Sequence, residues 1–378
     1  MHRAGTAVAF FRREPFAMNH SYRSLWNHAL GAWVAAPETA RAASAGSSSC
    51  VQAAATTPRL SRPSWRPTAL ALAAAAWLPG VAMAGVLVGP YITVSGDVSM
   101  GSTPITTPPP PPWNLGSSAL FVGDNIFGQV GIADGATVTS GTVFLGMSNG
   151  SDGAVYVSGT GSGLTTQGLY VGYSGSGVLQ ILNGATVSST SAQVSNSGSG
   201  SGIVSVIGSG STWTNSGTLL LGVHGQGMLL IDGGGLVKTG AITLGSGTPA
   251  TAQGTVLLYG NAITGRGVLE TTQLTKGTSA SNLDINGGIL RASAHQSDFL
   301  KGFTALTLGP GGAYFDTNGY DIGVGTAFAS SAGVGLFKQG AGTLTLSGAS
   351  TYTGGTTISG GTLVAANASA LGTGNVTV

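Results

Sequence analysis

The sequence between Leu120 and Ala262 repeats one pattern about six times. Each repeat opens with an apolar triplet closed by a small residue, and it returns after about 25 residues. A Gly/Ser/Asn turn, an alternating run and a third short run follow each triplet. Three short strands in a unit of this length are typical of one coil of a parallel β-helix, whose coils bury their apolar faces by stacking on one another. The triplets begin at Leu120, Val143, Leu169, Ala192, Leu219 and Ile242.

The repeat therefore predicts an all-β chain, a right-handed, single-stranded parallel β-helix (solenoid). Gly supplies 65 of 378 residues and only 7% are charged, so Ser, Thr and Asn must keep the outer faces soluble. Residues 1–84 hold 8 of the 14 Lys and Arg, and residues 85–237 hold none. Because nucleic-acid binding requires a cationic stripe to neutralise phosphates, nucleic acid is excluded as a partner.

The basic leader has the features of an export sequence. An apolar run over 69–78 follows several arginines, and at ten residues it is too short to span a bilayer. A small-x-small cleavage site formed by Ala82 and Ala84 comes next. We expect cleavage after Ala84, which makes Gly85 the first residue of the mature chain.

Residues 18–35, upstream of that run, resemble the extended signal peptide region of type V autotransporters. The shared features are an initial Met-Asn, a Tyr-Arg, a Trp-Asn pair and Leu-Gly-Ala-Trp-Val, whereas Pro37 departs from the family pattern. The resemblance implies that Met18 is the true initiator, that 1–17 come from a mis-called start, and that 18–84 form an extended signal peptide. It also implies export through the periplasm by the cell's export machinery.

The repeats resemble the same family independently. Residues 169–187 are similar to short repeats of type V passengers, and 338–364 are similar to the passenger-associated transport repeat, a β-helical coil linked to outer-membrane passage. These similarities imply an outer-membrane translocator as partner and a location at the cell surface, at the outer membrane or in the extracellular space. The family's C-terminal β-barrel does not follow Val378. We therefore expect a fragment, a truncated gene or a passenger served by a separate translocator.

The body of the chain is divided by composition and repeat quality. The predicted proline-rich spacer separates the first residues of the mature chain from the helix, since a proline run is a stiff extended segment. The predicted segments are 85–119 with the spacer at 103–112, the β-helix repeats 120–265, the degenerate coils 266–334 with a loose loop at 293–302, and the transport repeat with a following coil at 335–378.

No catalytic, cofactor-binding or metal-binding site is predicted. The Gly-x-Ser-x-Gly match at 146–150 lies in a turn of the repeat, not in the strand-to-helix turn that the mechanism requires. His224 and His295 lack metal-ligand spacing. Cys50 lies in the removed leader, so the mature chain is expected to form no disulfide.

Carboxylates and aromatic residues leave an enzymatic alternative open. Glycoside hydrolysis requires paired carboxylates, and the acids closest in sequence that could form such a pair are Asp316 and Asp321. Turn chemistry is the favoured interpretation of both. Trp213 and Tyr352 could stack on sugars, although packing in the coil is the favoured role of each.

These observations predict that the chain is not an enzyme but an exported passenger that acts as an adhesin or aggregation factor, displayed on the cell surface or secreted. Its expected partners are host, matrix or bacterial cell surfaces, with glycans among the candidate ligands. A secreted carbohydrate-active β-helix enzyme and a purely structural stalk remain alternatives.

Overall fold

The structure is a computed structural model that describes residues 22–27, 32–37, 91–108, 110–247, 252–331 and 333–378. All regular secondary structure in these ranges is β. The chain forms two compact units, the first ending at Ala82 and the second beginning at Met83. In the first unit, β1 (Tyr22–Asn27) pairs antiparallel with β2 (Ala32–Pro37).

The second unit contains the other strands. Its first strands are β3 (Tyr91–Gly96), β4 (Val98–Met100), β5 (Thr103–Pro104), β6 (Trp113–Asn114) and β7 (Ala119–Val122). The regular repeats form β8 (Gly128–Ala133), β9 (Thr137–Leu145), β10 (Asp152–Ser158), β11 (Gly163–Val171), β12 (Ser176–Leu182), β13 (Thr186–Val194), β14 (Ser201–Ile207), β15 (Thr212–Asn215), β16 (Leu219–Leu221), β17 (Gln226–Asp232), β18 (Leu236–Leu244) and β19 (Gln253–Asn261). The later coils form β20 (Gly265–Arg266), β21 (Val268–Lys276), β22 (Ala280–Asn286), β23 (Ile289–Ala292), β24 (Leu300–Lys301), β25 (Ala305–Leu308), β26 (Ala313–Asp316), β27 (Ile322–Val324), β28 (Ala327–Ser330), β29 (Leu336–Gln339), β30 (Thr343–Leu346), β31 (Thr356–Ile358), β32 (Thr362–Ala365) and β33 (Val376–Thr377).

The predicted parallel β-solenoid is confirmed, because each coil stacks in register on the next. The alternating runs form one parallel ladder in the order β8, β10, β12, β14, β17, β19, β22. The apolar triplets stack in a second ladder, where Leu120 pairs with Val143 and the first residues of the later triplets continue the row. All six of these side chains are at most 2% exposed. The repeat in the sequence is therefore a repeat of the core.

The third short run of each repeat is not a separate strand in most coils. In β9 it joins the next triplet in one nine-residue strand, and β11, β13 and β18 are built the same way. The sequence pattern predicted three strands because a polar residue interrupts the apolar alternation. The structure shows that this residue occupies a corner at which the long strand turns without breaking.

Buried polar side chains line this corner and satisfy the backbone there. Thr166 donates its hydroxyl to the carbonyl oxygen of Gly168 at 2.8 Å, and Thr271 donates to that of Gly240 at 3.0 Å. Because an unpaired buried carbonyl is costly, each hydroxyl stabilises the bend that it occupies. The stacked corner positions are Ser140, Thr166, Ser189, Asn215, Thr239 and Thr271.

The segment before the repeats covers the amino-terminal edge of the solenoid. β3 pairs antiparallel with β8, and β4 pairs antiparallel with β7. Trp113, directly after the proline run, is only 7% exposed, and β6 pairs with β9. The proline-rich stretch therefore connects two segments that both pair with the amino-terminal end of the solenoid. The sequence had predicted instead a spacer that holds the first residues of the mature chain apart from the β-helix. Antiparallel covering of an open sheet edge removes a template for pairing with other chains.

The later coils are less regular in sequence but keep the same core. β21, β23, β26, β29, β31 and β33 continue the second ladder in parallel register. The loop predicted at 293–302 is packed inward by Phe299 and Leu300, which are 0% and 1% exposed. Its sequence had suggested a loose connection because the strand alternation is lost.

Candidate functional surface

One outward-facing row of the second ladder consists of exposed hydroxyls. Thr139, Thr165, Ser188 and Thr214 are register partners on successive coils, and all four are exposed. We call them the hydroxyl row. Successive parallel strands lie about 4.8 Å apart, so the row presents a hydroxyl at each coil at that spacing.

The strand alternation that exposes this row buries the residues beside it. Val138, Leu164, Val187 and Trp213 precede the four hydroxyl residues and are at most 1% exposed. Another row of hydroxyl side chains lies two positions earlier in the same strands. Gly163 occupies this position in β11 and interrupts that row. Its members are Thr137, Thr186 and Thr212.

The same row continues as charged residues in the later coils. Thr214 pairs with Lys238, and the row then passes through Glu270, Arg291 and Asp316. We call the last four residues the charge row, in which the sign alternates from coil to coil.

Ion pairs join all neighbours in the charge row. Lys238 Nζ lies 3.4 Å from Glu270 Oε1, and Arg291 Nη1 lies 3.6 Å from Glu270 Oε2. Arg291 Nε donates to Asp316 Oδ2 at 2.8 Å. A shift of one coil would place Lys238 beside Arg291 and Glu270 beside Asp316, so the alternation favours the observed register.

A third outward row is aromatic. The ring centroids of Phe121 and Phe144 are 5.1 Å apart, and those of Phe144 and Tyr170 are 4.9 Å apart, with nearly parallel planes. Tyr173 packs edge-on against both Phe144 and Tyr170. Because the rings cover one another's faces, mainly their edges remain for a ligand. We therefore assign this row to coil stacking.

The two acids considered for catalysis each have a structural contact. Asp316 is 9% exposed, is paired with Arg291, and accepts from the backbone N–H of Asn318 at 2.9 Å. Asp321 accepts from the backbone N–H of Thr343 at 2.8 Å. Hydrogen bonding by the side chain and then the backbone of Thr343 lowers the pKa of Asp321 below its ordinary value. A general acid requires a raised pKa, and the pKa of Asp321 is shifted in the opposite direction.

The histidines also make backbone contacts. The Asp321 N–H donates to His295 Nδ1 at 3.0 Å. His224 Nδ1 lies 2.9 Å from the carbonyl oxygen of Asn196.

Ser148, in the Gly-x-Ser-x-Gly match, lies in a turn closed by Ser151. Within the described ranges, no group of three or more His, Cys, Asp or Glu is arranged to hold a metal ion.

Trp213 and Tyr352 are packed inside the solenoid. Both are 0% exposed. Trp213 Nε1 donates to the Ser189 hydroxyl at 3.1 Å, and the Tyr352 and Thr356 hydroxyls are 2.6 Å apart. Neither ring can stack on a sugar in this fold, and each provides a large buried contact instead.

The cleavage residues Ala82, Ala84 and Gly85, and Cys50, lie outside the described residues. Among the residues that are described, no helix could span a membrane.

Two family models match the chain. The Extended Signal Peptide of Type V secretion system matches residues 18–65, and the Passenger-associated-transport-repeat matches residues 336–365. No curated protein and no solved structure matches the chain. Together with the β-solenoid, the two matches place the chain in the type V autotransporter passengers. Its partners include the export machinery and an outer-membrane translocator, and it is exported to the cell surface or the extracellular space.

Proposed function

We propose that this passenger is an adhesin or aggregation factor, displayed on the cell surface or released from it. The observation that carries the proposal is the hydroxyl row, which repeats an uncharged polar group on four successive coils of an exposed face. Each hydroxyl contact with a partner surface is weak. Once the first hydroxyl of a rigid row is bound, the others are already positioned, so each further contact binds as an intramolecular event. A repeated row therefore gives avidity for a partner surface that is itself repetitive.

The proposed partners are host, matrix or sister-cell surfaces. The described coils before Lys238 carry no cation, so attraction to anionic surfaces does not account for binding by this part of the solenoid. Hydrogen bonding by Thr and Ser favours uncharged polar partners, which include glycans.

We also propose that attachment proceeds without chemistry. Asp316 and Asp321 both hold the fold, through Arg291 and Thr343. Catalysis requires groups that converge on a reacting atom, and these two contacts direct the acids toward neighbouring coils instead.

The test displays the full chain, leader included, on bacteria through a type V translocator. Clumping and attachment are scored alongside product release from a panel of polysaccharides. Attachment without release is expected. Steady release that disappears in Asp316→Asn or Asp321→Asn, with export unchanged, would overturn the adhesin in favour of a carbohydrate-active enzyme.

A further inference from the structure

A polar cleft opens between β22 and β25, where the first ladder is interrupted. β22 pairs with β19 on one side, and β25 pairs with β28 on its far side. No strand pairing joins β22 to β25 among the described residues. The space between the two strands has a volume of about 290 Å³.

The cleft is a wedge that is closed at one end. The Gly309 N–H donates to the carbonyl oxygen of Ile285 at 2.8 Å, and the Gly311 N–H donates to Asn286 Oδ1 at 2.7 Å. Alternate residues of a parallel strand turn their backbone groups toward the same neighbour. Because the backbone carbonyl of Ile285 points toward the next coil, the backbone N–H and C=O groups of Leu283 and Ser281 point the same way. These groups therefore point into the open part of the wedge.

The side chains around the wedge are mainly polar and almost balanced in charge. Asn282 and Asp284 line it from β22, and Thr307 lines it from β25. Lys276 is the cation at its edge, and Asp284 already accepts from the Tyr259 hydroxyl at 2.7 Å. The wedge therefore offers both hydrogen-bond donors and hydrogen-bond acceptors, and its electrostatic potential is neither strongly positive nor strongly negative.

The shape distinguishes a compact ligand from an extended peptide. A peptide strand inserted between β22 and β25 would have to lie about 4.8 Å from each of them. The two strands would then be separated by roughly twice the spacing of directly paired strands. The Gly309–Ile285 hydrogen bond holds the two strands at a single spacing at the closed end. A peptide strand cannot pass through, whereas a compact ligand can enter from the open end near Ser281 and Ala305.

We propose that the wedge between β22 and β25 binds an uncharged mono- or disaccharide. A sugar presents hydroxyls that both donate and accept, which matches the backbone groups of Leu283 and Ser281 and the side chains of Asn282 and Thr307. Phe303, 7% exposed, gives the wedge an apolar contact. This inference rests on the proposed adhesin function and names a ligand class and a site for it.

The test titrates D-galactose, N-acetyl-D-glucosamine and cellobiose separately against the exported full chain by calorimetry and ligand-observed NMR. At least one sugar is expected to bind. Ala305→Trp, which fills the mouth, and Asn282→Ala, which removes an amide, are each expected to weaken binding about tenfold or more. Ala327→Trp is the matched control, because Ala327 is the register partner of Ala305 on the next coil, away from the wedge.

Binding by none of the three sugars, or equal loss in Ala327→Trp and Ala305→Trp, would overturn the proposal. So would tighter binding of glucuronate or of an extended peptide than of every neutral sugar. Cell attachment, scored on the same variants, separates the two proposals. If cells still attach although no sugar binds, only the proposed saccharide site is contradicted. If sugar binds but cells do not attach, only the proposed adhesin function is contradicted.

Discussion

Lys338 lies opposite Phe315 in the parallel pairing of β26 and β29, and both side chains are 0% exposed. The inward row that includes Phe315 is otherwise apolar, passing through Val237, Leu269 and Leu290. Lys338 therefore places an ammonium inside the core, within the matched transport repeat. Its Nζ donates to the Thr317 hydroxyl at 2.9 Å and to the carbonyl oxygens of Gly340 and Gly360 at 2.7 and 2.8 Å.

These contacts join three successive coils, so Lys338→Met should destabilise the transport repeat although it adds apolar surface. The acceptors at Thr317, Gly340 and Gly360 lose their donor, and each unpaired buried group costs about 1–3 kcal/mol. We expect the free energy of unfolding to fall by about 3 kcal/mol in denaturant titrations. Lys301→Met, at an exposed position, is the control and should change it by less than about 0.5 kcal/mol. Equal stability of the two variants would contradict the cross-link.

Stability should also depend on pH through Lys338. Burial lowers the pKa of the folded ammonium below the ordinary value of 10.5. The folded state thus binds fewer protons than the unfolded state between the two pKa values, and stability rises with pH across that window. The free energy of unfolding of the native chain, measured relative to Lys338→Met, should increase as pH approaches 10.5. A flat difference would show that the ammonium is as well solvated folded as unfolded.

The charge row predicts unequal effects at its middle and its end. Arg291→Met leaves Asp316 largely buried without its cation, and we expect a loss of about 1–3 kcal/mol in unfolding free energy. Lys238→Met removes only a more exposed end of the row and should cost less than about 1 kcal/mol. Thermal and denaturant unfolding at low and high salt would test the order. A larger loss in Lys238→Met would contradict the assignment.

Trp213 should behave as a core residue. Trp213→Ala removes a fully buried ring and the donor to Ser189, so we expect a loss of about 3–5 kcal/mol of stability. Phe127→Ala, 46% exposed, is the control and should cost much less. Sugar binding by the folded fraction should not change, and a specific loss of sugar binding with normal stability would contradict burial of the ring.

Processing gives a prediction independent of the solenoid. Cleavage after Ala84 should leave an exported chain that begins Gly85-Val86-Leu87-Val88. Amino-terminal sequencing of exported protein checks this. A terminus at Met1, or a lipid on Cys50, would contradict the interpretation of the leader.

Much of the fold could be predicted from the sequence because the solenoid repeats its core. The triplets beginning at Leu120 and Val143 stack as their spacing indicated. The bend at Thr166 was not predictable from alternation alone, since a polar residue in a strand usually faces solvent, and here it bonds the backbone inside a corner.

The surface was less predictable. The composition required Ser and Thr outside, but only the register shows that Thr139 and Thr165 stack in one row. The alternation of Leu336 and Lys338 could have indicated an inward lysine, yet lysine is so seldom buried that composition favours the opposite assignment. The wedge beside β25 depends on a failure of strand pairing, which leaves no local mark in the sequence.

Attachment by a hydroxyl-row variant tests the central proposal most directly. Bacteria displaying the full chain are compared with bacteria displaying Thr139→Ala, Thr165→Ala, Ser188→Ala and Thr214→Ala combined, at matched surface levels. A control variant combines Ser176→Ala and Ser201→Ala, which lie on the other ladder. We predict that the fraction of cells attached or clumped falls at least about tenfold in the hydroxyl-row variant, since lost contacts multiply in avidity, and is unchanged in the control. Unchanged attachment in the hydroxyl-row variant would contradict the account.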